Sequence, residues 1–159
     1  MKITITSFTD PVCSWCWASE PIFRGLETHY PDMIEFRYIQ GGLVRSIEQM
    51  SPRGDVDEAN DWVANHWLEG ANRHKMPVKV DGFHLFSHDY PHTFNQGIAY
   101  KAAQKVDPDK ADKYLRRIRE ATISEAKLTS HPDVLIELAS EVGIDVGQFI
   151  AVFGSEEAK

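Results

Sequence analysis

A pair of cysteines, Cys13 and Cys16, follows a short alternating segment and an Asp-Pro break, and it constrains this chain more than any other feature. Residues 3–8 alternate with a period of two, which is typical of a β-strand. Pro11 cannot extend a strand ladder, and the residue before a proline avoids helical angles. The sequence therefore predicts a strand, a turn at Asp10 and Pro11, and a helix that begins near Cys13.

The two cysteines are the only ones in the chain. A structural disulfide framework would scatter several cysteines along the sequence, so three interpretations remain: a redox pair, half of a metal site, and coincidence. At a helix N-terminus the free N–H groups and the helix dipole stabilise a thiolate at Cys13. The spacing places Cys16 almost one turn later, where it can resolve a mixed disulfide formed at Cys13. The context favours a redox pair.

Residues around the cysteines are candidates for contact with a substrate. Ser14 can offer a hydroxyl or backbone N–H to a thiolate, and Trp15 can present an aromatic ring beside the sulfur or pack against the protein. We assign Pro11, Ser14 and Trp15 as candidate substrate-binding residues. For Trp17 we expect packing in the interior.

After the first strand and helix, the sequence predicts a second strand and then a series of helices. Residues 34–39 alternate again and end at Gly41-Gly42, and the long crossover makes the two strands parallel. A helix is predicted over residues 57–70, and an irregular loop over residues 76–91. Three more helix starts are predicted, with caps at Thr93 and Asp109 and a capping box at Ser130–Asp133; a last short helix is capped by Asp145 with Gln148.

Composition excludes several classes of protein. The 159 residues fit one structural unit with a core of its own. The net charge of −7 argues against binding to nucleic acid or an anionic membrane, since both require a basic surface. No apolar run approaches the roughly 20 residues of a membrane span, and no signal peptide is visible. We expect a cytoplasmic protein.

Three segments carry a resemblance: the run from Phe8 to Trp17, the Gly41-Gly42-Leu43 after the second strand, and residues 115–139. They resemble the DsbA-like thioredoxin superfamily, in its FrnE-like and 2-hydroxychromene-2-carboxylate isomerase branch. The resemblance implies an α/β thioredoxin-like fold of the DsbA type with a large α-helical insertion. Residues 1–45 would form the N-terminal β-α-β part with the CxxC, and residues 46–159 the helical insertion.

The resemblance also implies an activity, namely thiol–disulfide oxidoreduction on protein or small-molecule thiols. Cys13 would be the nucleophile and Cys16 the resolving cysteine. No bound cofactor is expected beyond the redox-active disulfide, and no metal is expected. Glutathione is a candidate co-substrate.

The sequence departs from the family pattern in its last third. The family returns to a strand preceded by a cis-proline that faces the CxxC, whereas this chain stays helical in pattern to its last residues. We expect the C-terminal cis-proline strand region to be absent. A two-stranded sheet exposes an edge and an apolar face, so we expect the chain to complete its sheet with another chain or to form a homo-oligomer.

Histidines and arginines offer other interpretations. His84, His88 and His92 recur every four residues. Two of them could bind zinc together with Cys13 and Cys16, because zinc accepts mixed sulfur and nitrogen ligands, although the histidine spacing matches no zinc-finger pattern. We expect these histidines to be solvated or capping. His66 and His74 are expected to be structural, unless one of them lines the groove near Cys13. The charged run Arg116–Glu120 is expected to form a solvated helix face.

Three functions therefore remain open. The first is a dithiol–disulfide oxidoreductase acting on proteins, which needs both Cys13 and Cys16. The second is a glutathione-dependent isomerase or transferase of the same superfamily, whose members usually keep a serine where Cys13 stands. The third is a non-enzymatic thioredoxin-like adaptor, of the kind that delivers a transcription factor to the ClpXP protease. The intact CxxC favours the first.

Overall fold

The computed structural model describes residues 2–156. Within this range the regular elements are two strands and six α-helices, in the order β1 (Ile3–Thr9), α1 (Ser14–His29), β2 (Ile34–Gln40), α2 (Val56–His74), α3 (Phe94–Val106), α4 (Pro108–Arg119), α5 (Pro132–Glu141) and α6 (Val146–Phe153). A 3-10 turn at Ile47–Gln49 precedes α2, and a π-helical turn at Glu120–Ser124 extends α4.

The two strands pair in parallel, as the long crossover predicts. Ile3 lies opposite Ile34 at one end of the ladder, and Thr9 lies opposite Gln40 at the other. The carboxyl ends of both strands therefore meet at one edge of the sheet, and the chain enters the cysteine motif directly from this edge. In α/β folds this edge is the usual place for a binding site.

Two buried clusters hold the helices. The larger cluster packs α3 to α6 together and includes Tyr100, Tyr114, Leu115, Ile118, Leu138 and Phe149. The second cluster joins the cysteine motif to α2 and the loop after it, and includes Val12, Trp17, Val44, Ile47, Val63, Trp67, Leu85 and Phe86. Trp17 is 3% exposed, which confirms the expected packing role. The second cluster crosses the predicted boundary at residue 45, and the division into two parts stays a prediction.

The sheet exposes apolar side chains. Within residues 2–156 it has two strands, and no peptide bond in this range is cis. Ile3 and Phe8 on β1 are 64% and 76% exposed, although both are large and apolar. The described chain thus has the expected β-α-β start followed by helices, and each strand of its small sheet has one unpaired edge.

Helix boundaries follow the predicted caps in part. Asp145 caps α6 by accepting a hydrogen bond from the Gln148 N–H at 2.7 Å, as predicted. The capping box at Ser130 is wrong: α5 begins at Pro132 with His131 as N-cap and without a side-chain cap bond. The cap at Asp109 is also wrong, since α4 begins at Pro108. In both helices the fixed φ of proline suits the first turn.

Candidate functional site

The cysteine motif begins helix α1. Cys13 is the N-cap with an extended backbone, and its Sγ accepts a hydrogen bond from the Cys16 N–H at 3.3 Å. The Cys13 N–H in turn donates to the Asp10 carbonyl at 3.2 Å. Both thiols are free and partly exposed. The structure thus places a reachable dithiol at the positive end of a 16-residue helix.

The reduced pair of thiols loses one proton readily and the second proton only with difficulty. A hydrogen bond from Cys13 lowers the pKa of Cys16 to about 5, with further stabilisation from the Thr9 hydroxyl, an Asp10 backbone hydrogen bond and the Arg119 charge. The same hydrogen bond, with burial, raises the pKa of Cys13 far above its usual range. These values describe the pair, because two thiolates in contact repel each other. The pair therefore holds one anionic sulfur at neutral pH.

Asp10 fastens the loop that carries the cysteines. Its carboxylate is 4% exposed and accepts hydrogen bonds from the Val12 N–H at 3.0 Å and the Leu43 N–H at 2.7 Å. Burial raises the pKa of Asp10 to about 6, although both amide bonds act in the opposite direction. The sequence indicated only a strand break here. The tendency of aspartate to accept a hydrogen bond from an amide two residues later is the signal that could have identified it.

A buried ion pair lies behind the cysteines. Arg119 is 2% exposed, and its guanidinium donates to Glu20 on α1 and to the Thr9 hydroxyl at 2.5 Å. Arg116 donates to Glu20 at 3.4 Å and lies 5.6 Å from the centre of the Trp17 ring. The expected solvated face is therefore wrong for Arg119, whereas Arg116 stays partly exposed. Arg119 follows Leu115 by four residues, so the helical period places it on the buried face.

His74 is the histidine that contacts the motif. Its ring meets Trp15 edge-on at 5.8 Å between centroids, and its Nδ1 accepts a hydrogen bond from the Met76 N–H at 3.0 Å. The proton therefore lies on Nε2, which is buried and has no hydrogen-bond partner among the described residues. Burial lowers the pKa of His74. His66 instead stacks on Trp62 at 5.2 Å.

The predicted substrate-binding residues differ in access. Trp15 is 47% exposed, whereas Ser14 is 3% exposed and Pro11 is buried. A Cβ added at Gly70 would lie 3.6 Å from the Ser14 Oγ, so α2 covers this hydroxyl. Trp15 is thus the member of the set whose side chain reaches solvent. The role of all three in binding stays a prediction.

An apolar cavity of about 250 Å³ opens beside the motif, between the segment after β2 and helix α2. Its lining includes Val12, Leu43, Met50, Trp62, Trp67 and Leu85. Its volume is below the range typical of small-molecule pockets, about 300–1,000 Å³, and suits one or two side chains. The cavity therefore offers space for an apolar group against Val12, the residue before Cys13.

The remaining histidines lie apart from the cysteines. His84 and His88 line an open cavity with Asp55 and Asp57 at the start of α2, and His92 packs on Phe94. In the described part of the chain no group of three or more histidine, cysteine, aspartate or glutamate side chains is placed to hold a metal ion. Nor does any helix between residues 2 and 156 combine the length and apolar character needed to cross a membrane.

Comparison with known proteins adds a family. A family model described as Thioredoxin matches residues 7–159. Two curated relatives carry the name ClpXP adapter protein SpxH: one from Shouchella clausii, 28% identical over 98% of this chain and 49% of its own length, and one from Bacillus subtilis, 25% identical over 98% and 50%. This chain therefore spans about half the length of these relatives.

Solved structures share the fold. A putative protein disulfide isomerase from Nitrosomonas europaea has a TM-score of 0.80 at 21% identity, covering 99% of this chain and 73% of its own. The cytosolic disulfide reductase DsbM from Pseudomonas aeruginosa has a TM-score of 0.72 at 21% identity, covering 96% and 71%. A 2-hydroxychromene-2-carboxylate isomerase has a TM-score of 0.60 at 12% identity, covering 98% and 73%. At these identities the likeness establishes the fold alone.

Proposed function

This chain belongs to the thioredoxin family and has the fold of its DsbA-like members, and on that premise we propose that Cys13 and Cys16 carry out thiol–disulfide exchange with protein or small-molecule thiols. One observation carries the proposal. Both thiols are partly exposed at the start of α1, the Cys16 N–H donates to the Cys13 Sγ at 3.3 Å, and the neighbouring Cys13 side chain lowers the pKa of Cys16 to about 5. A structural cysteine needs neither access nor a stabilised thiolate.

The exchange proceeds in two balanced steps. The Cys13 thiol passes its proton to the Cys16 thiolate and attacks one sulfur of a substrate disulfide, so that a Cys13–substrate bond forms and the other substrate sulfur leaves and takes up that proton from Cys16. The Cys16 thiolate then attacks the Cys13 sulfur and releases the second substrate thiol. Two electrons pass from the dithiol to the substrate, and the Cys13–Cys16 disulfide remains. The reverse sequence oxidises a substrate dithiol.

Insulin reduction tests this proposal. We expect the wild type to reduce insulin disulfides with dithiothreitol or glutathione as electron source, and Cys13→Ser to abolish the reaction. Cys16→Ser should trap a mixed disulfide at Cys13. Insulin reduction that is unaffected by Cys13→Ser would overturn the mechanism.

A second candidate function is a protein adaptor. The curated relatives are named ClpXP adapter proteins, and this similarity favours an adaptor over an enzyme. The geometry of the two cysteines favours an enzyme. An adaptor would bind its partner without turning it over, and Cys13 and Cys16 would then be dispensable. Binding to purified ClpXP, measured by analytical ultracentrifugation, would support the adaptor if a variant with both cysteines changed to serine binds as well as the wild type. No complex at micromolar concentrations would remove this candidate.

Glutathione is the small thiol that we propose as co-substrate, in a cytoplasmic setting where its reduced pool would regenerate the dithiol. The glutathione-dependent isomerase remains the alternative within the same fold. Cys13 stands where those enzymes usually keep a serine, which supports exchange chemistry instead. Mass spectrometry of Cys16→Ser after incubation with oxidised glutathione tests this choice. One glutathione attached to Cys13 is expected, and no adduct would argue against glutathione as a substrate.

A further inference from the structure

Trp15 presents an aromatic ring on the first turn of α1, two residues after Cys13. It is 47% exposed, yet it contacts the His74 ring edge-on, with 5.8 Å between the ring centres and 76° between the ring planes. An exposed aromatic side chain that nothing holds exchanges between rotamers. A ring that is already held in place costs less entropy when a substrate packs on it. What fixes His74 therefore bears on how Trp15 meets a substrate.

His74 is held by a hydrogen bond just after the end of α2. Its Nδ1 accepts from the Met76 N–H at 3.0 Å. The next residue, Pro77, is fixed in turn, because its carbonyl accepts from the Trp17 Nε1 at 3.0 Å. Trp17 is buried in the second cluster and lies on the same helix as Trp15. The segment that orients the His74 ring is thus anchored on the helix that the ring contacts.

Gly70 lets the His74 ring lie close to the start of α1. A Cβ at this position would lie 3.4 Å from the His74 Nε2 and 3.6 Å from the Ser14 Oγ, so both groups flank the same point on α2. The Nε2 carries the ring proton, is buried, and has no hydrogen-bond partner among the described residues. An unpaired buried donor is destabilising. Stability therefore does not account for a histidine at this place.

The bond from Met76 requires a neutral His74 ring. Protonation puts a hydrogen on Nδ1, which then cannot accept from an N–H. Ser14 and Trp15 face the ring from α1 and Gly70 faces it from α2, and none of these three residues carries a charge. A protonated ring therefore loses the contact that orients it.

The charged and titratable groups near His74 are two basic side chains and the cysteine pair. Arg73 and Lys75, its neighbours in the sequence, are exposed. Cys13 and Cys16 lie at the start of α1, the helix that faces the ring. Burial lowers the pKa of His74, so the ring is neutral at pH 7 and becomes charged in acidic solution.

We propose that neutral His74 is a positioning residue that holds the Trp15 ring beside Cys13, and that this raises the affinity for disulfides with an apolar side chain next to the substrate cysteine. This inference rests on the proposed thiol–disulfide exchange and names the class of substrate that it favours. His74 forms no bond to the substrate and carries no electrons, and the exchange steps stay at Cys13 and Cys16. A contact made equally in the bound and the transition state changes KM and leaves kcat unaltered.

The first test measures KM and kcat for reduction of a peptide disulfide with leucine on both sides of each cysteine, at pH 7.5 with dithiothreitol as electron source. Trp15→Ala should raise KM about tenfold and leave kcat within about a factor of two. His74→Asn keeps an oxygen that can accept from the Met76 N–H but has no ring, and it should raise KM about threefold. In the Trp15→Ala background, His74→Asn should change nothing further, because His74 acts through Trp15.

His66→Asn is the matched control, since His66 lies on the same helix and stacks on Trp62 instead. It should leave KM at the wild-type value. A KM that His74→Asn does not alter, or an equal rise in KM with and without Trp15, would overturn the inference.

The second test uses pH, which a merely structural contact would not follow. From pH 7.5 to pH 5.0 the wild-type KM should rise about threefold, as protonation of His74 releases the ring. His74→Phe keeps a ring against Trp15 and cannot be protonated, so its KM should stay constant over this range. Titration of the cysteines and of Asp10 is common to both proteins and cancels in the comparison. Equal pH profiles of KM in the wild type and His74→Phe would overturn the role of His74.

These outcomes separate the inference from the proposed function. A wild type that reduces the peptide disulfide with the same KM as His74→Asn would keep the exchange activity and remove the role of His74. A wild type that reduces neither the peptide disulfide nor insulin would remove the exchange activity, and this inference with it.

Discussion

The Oδ2 of Asp10 accepts a hydrogen bond from the backbone N–H of Leu43 at 2.7 Å. This bond ties the loop before Cys13 to the segment after β2, at the edge where both strands end. Asp10 is 4% exposed, and burial raises the pKa of its carboxylate to about 6. The loop that carries Cys13 and Cys16 is thus held by a titrating group.

The first prediction concerns the stability of this loop against pH. The pKa of Asp10 is raised in the folded chain, so the folded state binds the proton more tightly than the unfolded state. Its contribution is fully present below about pH 4 and is lost as pH rises to about 6, which amounts to at most about 3 kcal/mol. Asp10→Asn should remove this part of the pH dependence. Urea unfolding between pH 4 and pH 7 measures it.

The control for this prediction is Asp32→Asn, because Asp32 is exposed in the turn before β2. The Asp32 variant should follow the wild-type profile of unfolding free energy. Identical profiles for the Asp10 variant and the wild type would show that the carboxylate does not titrate in the folded loop as described.

A second prediction concerns the shared proton of the cysteines. Between about pH 6 and pH 8 the reduced protein should contain one thiolate, since the pKa of Cys16 is lowered to about 5 and the pKa of Cys13 is raised. Cys13→Ala removes the largest stabilising contact of Cys16 and should raise the pKa of the remaining thiol. Thiolate absorbance near 240 nm, titrated against pH, measures both. A wild type without thiolate absorbance at pH 7 would refute the shared proton.

The sequence predicts those parts of this site that depend on neighbouring residues, and it does not predict contacts between residues far apart in the chain. Period-two alternation placed both strands within one residue of their ends, and the cysteine spacing placed the start of α1 at the correct turn. Arg119 and Glu20 are 99 positions apart, and no local pattern reports a contact over that separation. A charged run reads as a solvated surface unless its partner is known.

Other misses have the same origin on a smaller scale. Asp10 reads as a strand break, because its amide partner Leu43 is 33 positions away. His74 and His66 are equivalent in the sequence, and only the path of α2 brings His74 against Trp15. Tertiary contacts, which local periodicity does not encode, decide each of these roles.

The third prediction concerns the buried ion pair. Arg119→Met leaves Glu20, 6% exposed, without its main partner and should lower the free energy of unfolding by about 3 kcal/mol. The double variant Glu20→Met with Arg119→Met should recover most of that loss, because two apolar side chains need no compensation. Urea unfolding of the wild type, both single variants and the double variant gives the coupling. Additive losses would show that the two charges do not support each other.

A fourth prediction concerns the open sheet. Phe8 on β1 is 76% exposed, and contact between this face of the sheet and a second copy of the chain would cover it. Ile3, 64% exposed, lies five positions away and therefore on the opposite face. We expect a concentration-dependent mass above that of one chain in light scattering, and Phe8→Ser should lower it. Leu68→Ser is the matched control, since Leu68 is 41% exposed on α2 and away from the sheet. A monomeric mass for the wild type at all concentrations would contradict this expectation.

The central claim is that Cys13 and Cys16 act as one redox couple. The most direct test equilibrates the wild type with glutathione buffers of increasing oxidised fraction, quenches with acid, and counts dithiol, disulfide and glutathione adducts by mass spectrometry. The account predicts a single two-electron transition from the dithiol to the Cys13–Cys16 disulfide, with few adducts. Adducts that accumulate on each cysteine independently, or thiols that stay reduced across all buffers, would contradict it.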